Sequence, residues 1–181
     1  MRDDRYIWDD VSYRKRNHLP HLDVPGGLYF VTWCLADAIR PAFMKQLEME
    51  RRRRLGRSRE RFGNVRPVDV RQVEKWMRKE RFDELDRGRG RCDLARPEIA
   101  ELVTSSLFHF DQERYRLLSH VLMPNHVHVI VRSDPNWPWW KITGSWKSFT
   151  ARQANRILGR SGSFWQDDSY DTLIRSKKHL E

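Results

Sequence analysis

Two histidines two residues apart, His126 and His128, lie in the run Met123-Pro124-Asn125-His126-Val127-His128-Val129-Ile130-Val131. On a strand, the two-residue period sends both imidazoles to one face. Neutral imidazoles side by side on a rigid backbone are half of a metal site. Val127, Val129 and Val131 fill the opposite face and anchor the strand in a core, so the histidines look outward into a site. Tyr170 is the only tyrosine C-terminal to the pair, and hence the only internal candidate for a nucleophile there; as a strand aromatic it reads better as packing. His120 reads as a core histidine on the neighbouring strand. His18, His21, His109 and His179 have no spacing that suggests ligation.

The charge points to a polyanion. The chain has a formal net charge of +10 and a pI near 10.0, and residues 45–91 hold 17 Lys plus Arg against 9 Asp plus Glu. The run Arg51, Arg52, Arg53, Arg54, continued by Arg57, Arg59 and Arg61, suits phosphate contacts better than base reading. A solvated helical face or a flexible insertion accounts for the same run about equally well. Gln166 follows two aromatics, Phe164 and Trp165, an arrangement suited to base stacking with an amide contact, or to packing of Trp165 under a sheet. Trp137, Trp139 and Trp140 flank prolines and read either as stacking platforms or as caps on a core.

The elements that must position these residues can be read in order. Residues 1–25 form a polar N-terminal arm. Leu28 to Leu35 make a strand with Tyr29, Val31, Trp33 and Leu35 on one face. Residues 41–91 form a basic helical insertion of two pieces broken around Gly63 and Pro67, with Asp69 and Gln72 as a capping box and Val70, Val73, Trp76 and Met77 as the second apolar stripe. A helix begins at Pro97 and buries Ile99, Leu102, Val103, Leu107 and Phe110. Arg114–Leu122 and His126–Arg132 are strands joined at Pro124-Asn125. Trp139 to Leu158 is an amphipathic helix burying Ile142, Trp146, Phe149, Ala154 and Ile157. Its polar side carries Lys141, Ser148, Arg152 and Arg156, which suit a nucleic-acid backbone. This order of strands and helices predicts an α+β fold, a ferredoxin-like, RRM-like antiparallel sheet with helices on one face. The whole chain, 1–181, reads as one such domain carrying the insertion. Two cysteines offer no disulfide framework, and no run is long and apolar enough to span a bilayer, so a cytoplasmic, unexported protein is the default.

The histidine run resembles the HUH motif of the single-tyrosine transposases, especially the REP-associated tyrosine transposases. Gly26-Gly27-Leu28-Tyr29-Phe30-Val31-Thr32 resembles their first strand, and Lys147-Ser148-Phe149-Thr150 their helix after the motif. Phe164-Trp165-Gln166, then Tyr170-Asp171 and Ile174-Arg175, resemble their next signature. An ordered set is far more specific than a lone HxH. The resemblance implies that His126 and His128 hold a divalent cation, Mg2+ or Mn2+, completed by a side chain from a C-terminal helix. It implies a tyrosine on that helix that attacks hairpin or single-stranded DNA to form a 5′-phosphotyrosine. By register the helix with that tyrosine falls beyond Glu181, which marks the C-terminal catalytic helix as missing and gives a second reading, a hairpin-binding module without cleavage. The family usually has a histidine where this chain has Thr172. Some relatives share active sites between subunits, which leaves room for a homodimer. A ferredoxin-like RNA-binding domain would need exposed aromatics where this chain has His126 and His128.

Overall fold

The computed structural model describes residues 12–16 and 19–175. Its elements are β1 (Ser12–Arg16), β2 (Leu19–Asp23), β3 (Leu28–Cys34), α1 (Pro41–Phe62), α2 (Pro67–Asp86), a 3-10 turn (Asp93–Ala95), α3 (Pro97–Phe108), β4 (Tyr115–Leu122), β5 (His126–Ser133), α4 (Trp139–Ile157) and β6 (Tyr170–Leu173). The chain divides into two compact units, residues 37–92 and the remainder.

The larger unit is built on a four-stranded antiparallel sheet in the order β4-β5-β3-β6. With α3 and α4 as the connecting helices this is the α+β, ferredoxin-like arrangement. The core lies on the face that carries Tyr29, Val31, Trp33, Val127, Val129 and Val131, all nearly or fully buried. The helix α4 covers that face: Trp146 stacks on Trp33, Trp139 meets the ring of Tyr29, and the Trp146 indole N–H donates to the Tyr115 hydroxyl. Ile99, Val103 and Leu107 of α3 close the core. Strand alternation then leaves His126, His128, Phe30, Thr32 and Tyr170 on the other face.

Three expectations, for Phe149, Ile157 and the capping box, need correction. Phe149 and Ile157 are 43% and 47% exposed, not buried. Thr143 and Thr150 take buried positions on α4 instead, each returning its hydroxyl to a carbonyl one turn back. No Asp69–Gln72 capping box forms: α2 starts at Pro67 after Arg66, and Asp69 turns back to Arg66 and Ser58. Within the N-terminal arm, expected only to be polar, β1 pairs antiparallel with β2, an added detail that leaves that reading as it stands.

The smaller unit is a helical hairpin of α1 and α2. The break falls where the sequence predicts it, with Gly63 in the left-handed conformation that ends α1 and Pro67 opening α2. Leu47, Val73 and Leu85 are buried, and between the helices Arg51 pairs with Glu74 while Arg54 lies over the Trp76 ring. At the unit's two ends the chain is clasped: the Arg91 N–H and guanidinium both engage the Asp37 carboxylate, at 3.0 and 3.2 Å. Gly90, with φ of 91°, passes so close that an added Cβ would lie 2.9 Å from the Asp37 carbonyl oxygen.

Candidate functional site

The histidines are positioned by a pinned turn. Pro124 and Asn125 join β4 to β5, and the turn is tied to neighbouring segments by Leu94 N–H on the Pro124 carbonyl and Leu35 N–H on the Asn125 carbonyl. Asn125 and His126 are buried and His128 is half-buried. The pair therefore lies on the face expected of it, but in an enclosed setting.

The two Nε2 atoms converge to 3.0 Å. Each ring is held from behind through its other nitrogen: His126 Nδ1 lies 2.8 Å from Asn125 Oδ1, and His128 Nδ1 lies 2.7 Å from Thr32 Oγ1. An amide oxygen only accepts, so His126 carries its proton on Nδ1 and presents Nε2 as an acceptor. His128 then donates from Nε2 to His126, and its Nδ1 accepts from the Thr32 hydroxyl. Because a hydroxyl both gives and takes, Thr32 also suits the opposite tautomer, in which both Nε2 atoms are acceptors. Phe30 stacks on the His128 ring at 5.4 Å and fixes its plane.

This donor set fits a divalent cation. Two cis ligands of an octahedral ion, each about 2.1 Å from it, stand about 3 Å apart. Among the described residues no group of three or more His, Cys, Asp or Glu could hold a metal ion, and a small hard cation keeps water in its remaining positions. Sequence spacing identified the pair but missed Thr32. Its signal was the antiparallel register, which sets Thr32 opposite His128 and Tyr170 opposite Thr32. Tyr170 therefore lies two strands from His128 across one face, and its hydroxyl accepts from that of Thr172 at 3.0 Å. His120 is set apart, edge-on to Phe108.

The other sequence candidates separate by environment. Lys141, Ser148, Arg152 and Arg156 are exposed on α4, a helix without a single Asp or Glu. Lys147 is different: its ammonium donates to the carbonyls of Gln166, Asp167 and Asp168 at 2.7, 2.8 and 3.2 Å. It ties the segment leading into β6 and is not presented to a phosphate. Trp165 is 5% exposed, edge-on to Trp33, with its indole N–H on Thr150 Oγ1. It packs under the sheet, while Gln166 beside it is half-buried.

The run Arg51 to Arg54 is largely neutralised within its own unit. Arg51 meets Glu48 and Glu74, Arg52 meets Glu48, and Arg53 and Arg54 meet Glu50. Arg54 also lies over the Trp76 ring at 3.9 Å. Arg53 and Arg54 hold the Glu50 carboxyl below its usual range. At the hairpin tip, Arg66 and the Ser58 hydroxyl lower Asp69 to about 2. The exposed side of α4, by contrast, carries Lys141, Arg152 and Arg156 on a helix with no acid of its own.

Residues 96–181 match the family model described as IS200-like transposase. Among solved structures, the chain is similar to a REP-associated tyrosine transposase bound to a REP hairpin, with 12% identity and a TM-score of 0.44, over 91% of this chain and 66% of that one. It is similar also to a candidate transposase from Deinococcus radiodurans R1, with 10% identity and a TM-score of 0.35, over 92% of this chain and 90% of that one. The chain spans just under two thirds of the first of these. No curated protein matches it.

Proposed function

We propose that the chain, whose residues 96–181 match the family model described as IS200-like transposase, acts on hairpin DNA in the manner of a REP-associated tyrosine transposase. The reading rests on one observation above all: two imidazole Nε2 atoms 3.0 Å apart, each ring held through its Nδ1. His126 and His128 would hold Mg2+ or Mn2+, which when bound polarises the scissile phosphate. Asn125 and Thr32 fix the two ring planes and tautomers. The exposed Lys141, Ser148, Arg152 and Arg156 carry the DNA backbone along α4. In the strand-cutting step a tyrosine oxygen bonds to phosphorus and the 3′ oxygen leaves as a hydroxyl. The 5′-phosphotyrosine conserves the bond energy, so rejoining needs no nucleotide.

A second reading, a hairpin-binding module without cleavage, is favoured by Tyr170. Its side chain belongs to a sheet strand and its hydroxyl is engaged by Thr172, which suits packing better than attack. Mixing the chain with single-stranded hairpin DNA and Mn2+, then searching a denaturing gel for a covalent adduct and mapping it by mass spectrometry, separates the two. An adduct on Tyr170 supports cleavage by this chain. Tight binding without an adduct supports the module, and no hairpin binding at all defeats both.

A further inference from the structure

A cleft of about 310 Å³ opens between α4 and the segment 162–169. It lies on the helix layer, away from the sheet face that carries His126 and His128. One wall is Trp140, whose ring is fixed by its indole N–H on the Asp23 carboxylate at 3.1 Å. The floor is Gly144, Ser148 and Ala151, successive turns of α4. Glycine weakens a helix interior, yet a Cβ on Gly144 would meet nothing within 4 Å, so no close packing calls for it. What the missing side chain keeps open is the cleft. The facing edge carries Gln166 and Asp167, and Lys147 locks their backbone in place through its three carbonyl bonds.

The chemistry of this cleft is that of a flat, neutral group. Its volume is at the lower end for small-molecule sites, about 300 Å³ and upward, and suits one ring system better than a length of nucleotide chain. A fixed tryptophan face stacks a base at little ordering cost. Asp167, with Asp168 beside it, repels phosphate, and the Lys147 ammonium in the lining is engaged by three carbonyls; the exposed Lys141 and Arg152 of α4, which attract phosphate, lie outside the lining. An ionised carboxylate only accepts hydrogen bonds, while an amide both donates and accepts. Guanine alone among the DNA bases offers two adjacent donors, N1–H and the N2 amine, beside an acceptor, O6. Adenine and cytosine set a ring acceptor against the carboxylate, and thymine has one N–H between two carbonyls.

We propose that this cleft takes one unpaired guanine base of a single-stranded DNA segment, with Trp140 stacking on the ring, Asp167 accepting from N1–H and N2, and Gln166 donating to O6. The choice of DNA as the source rests on the transposase reading; the complementarity to guanine does not. The test titrates the isotope-labelled full chain with guanosine, inosine, adenosine and cytidine, without metal or DNA. It reads the Trp140 indole and Gln166 amide resonances, each assigned by its loss in W140F and Q166E. Guanosine is expected to move both signals at about tenfold lower concentration than inosine, which lacks the N2 amine. Asp167→Asn should bring the two within about twofold. Gly144→Leu should fill the cleft and abolish both responses without lowering the melting temperature. Equal responses to all four nucleosides, or none up to the solubility limit, would overturn the assignment. A guanosine response in a chain that ignores hairpin DNA supports the cleft while counting against the transposase reading. Hairpin binding without a guanosine response does the reverse.

Discussion

At the scale of the residue, each histidine has a keeper, and the two keepers differ chemically. Asn125 turns its Oδ1 to His126 Nδ1 and an amide oxygen only accepts, so it commits that ring to one tautomer. Thr32 accommodates either tautomer of His128. Loss of such an outer partner typically weakens metal affinity about 10–100-fold. Asn125→Ala is therefore expected to lower Mn2+ affinity by about that range in calorimetric titration. Thr32→Val, close in shape but without the hydroxyl, should also weaken binding. Unaltered affinity in both variants would mean that the rings are held by packing, with Phe30 as the principal support. The histidine pair was legible because two residues of spacing on an apolar strand suffice to show it. The keepers were not equally so. Asn125 adjoins the pair in sequence, but Thr32 is 96 positions away and joins it only through the pairing of β3 with β5.

At the scale of the element, α4 shows how far periodicity reaches. Its buried stripe includes Thr143 and Thr150, whose hydroxyls are satisfied by the helix's own carbonyls and so tolerate burial. A pattern read from apolar residues passes over them and assigns Phe149 and Ile157 to the core in their stead. The exposed face is where DNA binding should register. Removing one side-chain cation that neutralises a phosphate changes the slope of log affinity against log salt by about 0.7 to 0.9. Arg152→Gln and Arg156→Gln should each flatten the slope by up to that amount. Arg52→Gln and Arg53→Gln, whose partners are already on α1, should leave it nearly unchanged. Equal effects from both pairs would restore the arginine run to the interface. Lys147→Met tests the tie to β6: it leaves three carbonyls without their cation and should cost about 2 kcal/mol in urea unfolding. Faster amide exchange at 166–170 should accompany it.

At the scale of the whole molecule, two kinds of stability coexist. The sheet unit rests on buried tryptophans, valines and leucines, the helical hairpin on a few apolar residues and many exposed ion pairs, which are individually weak. Asp69 marks the difference. In the unfolded chain its carboxyl titrates near the usual value, about 4, whereas in the hairpin the Arg66 guanidinium and Ser58 hydroxyl hold it to about 2. A lowered folded value means that its contribution is whole above about pH 4 and disappears as the pH falls toward 2. In a Trp76→Phe background, which leaves no tryptophan in the hairpin, circular dichroism should accordingly show helix loss in that window before the tryptophan fluorescence changes, and Asp69→Asn should flatten the acid limb. A single coincident transition would show that the two units unfold together. The clasp of Asp37 on Arg91 and Gly90 has a further meaning. A segment whose two ends are already joined adds only a slowly growing closure cost as it lengthens. Descent with insertion and deletion can then remodel everything between residues 37 and 91 while the junction stays the same, so this is where lineages of such a protein should diverge most in length, and where a foreign module is best grafted.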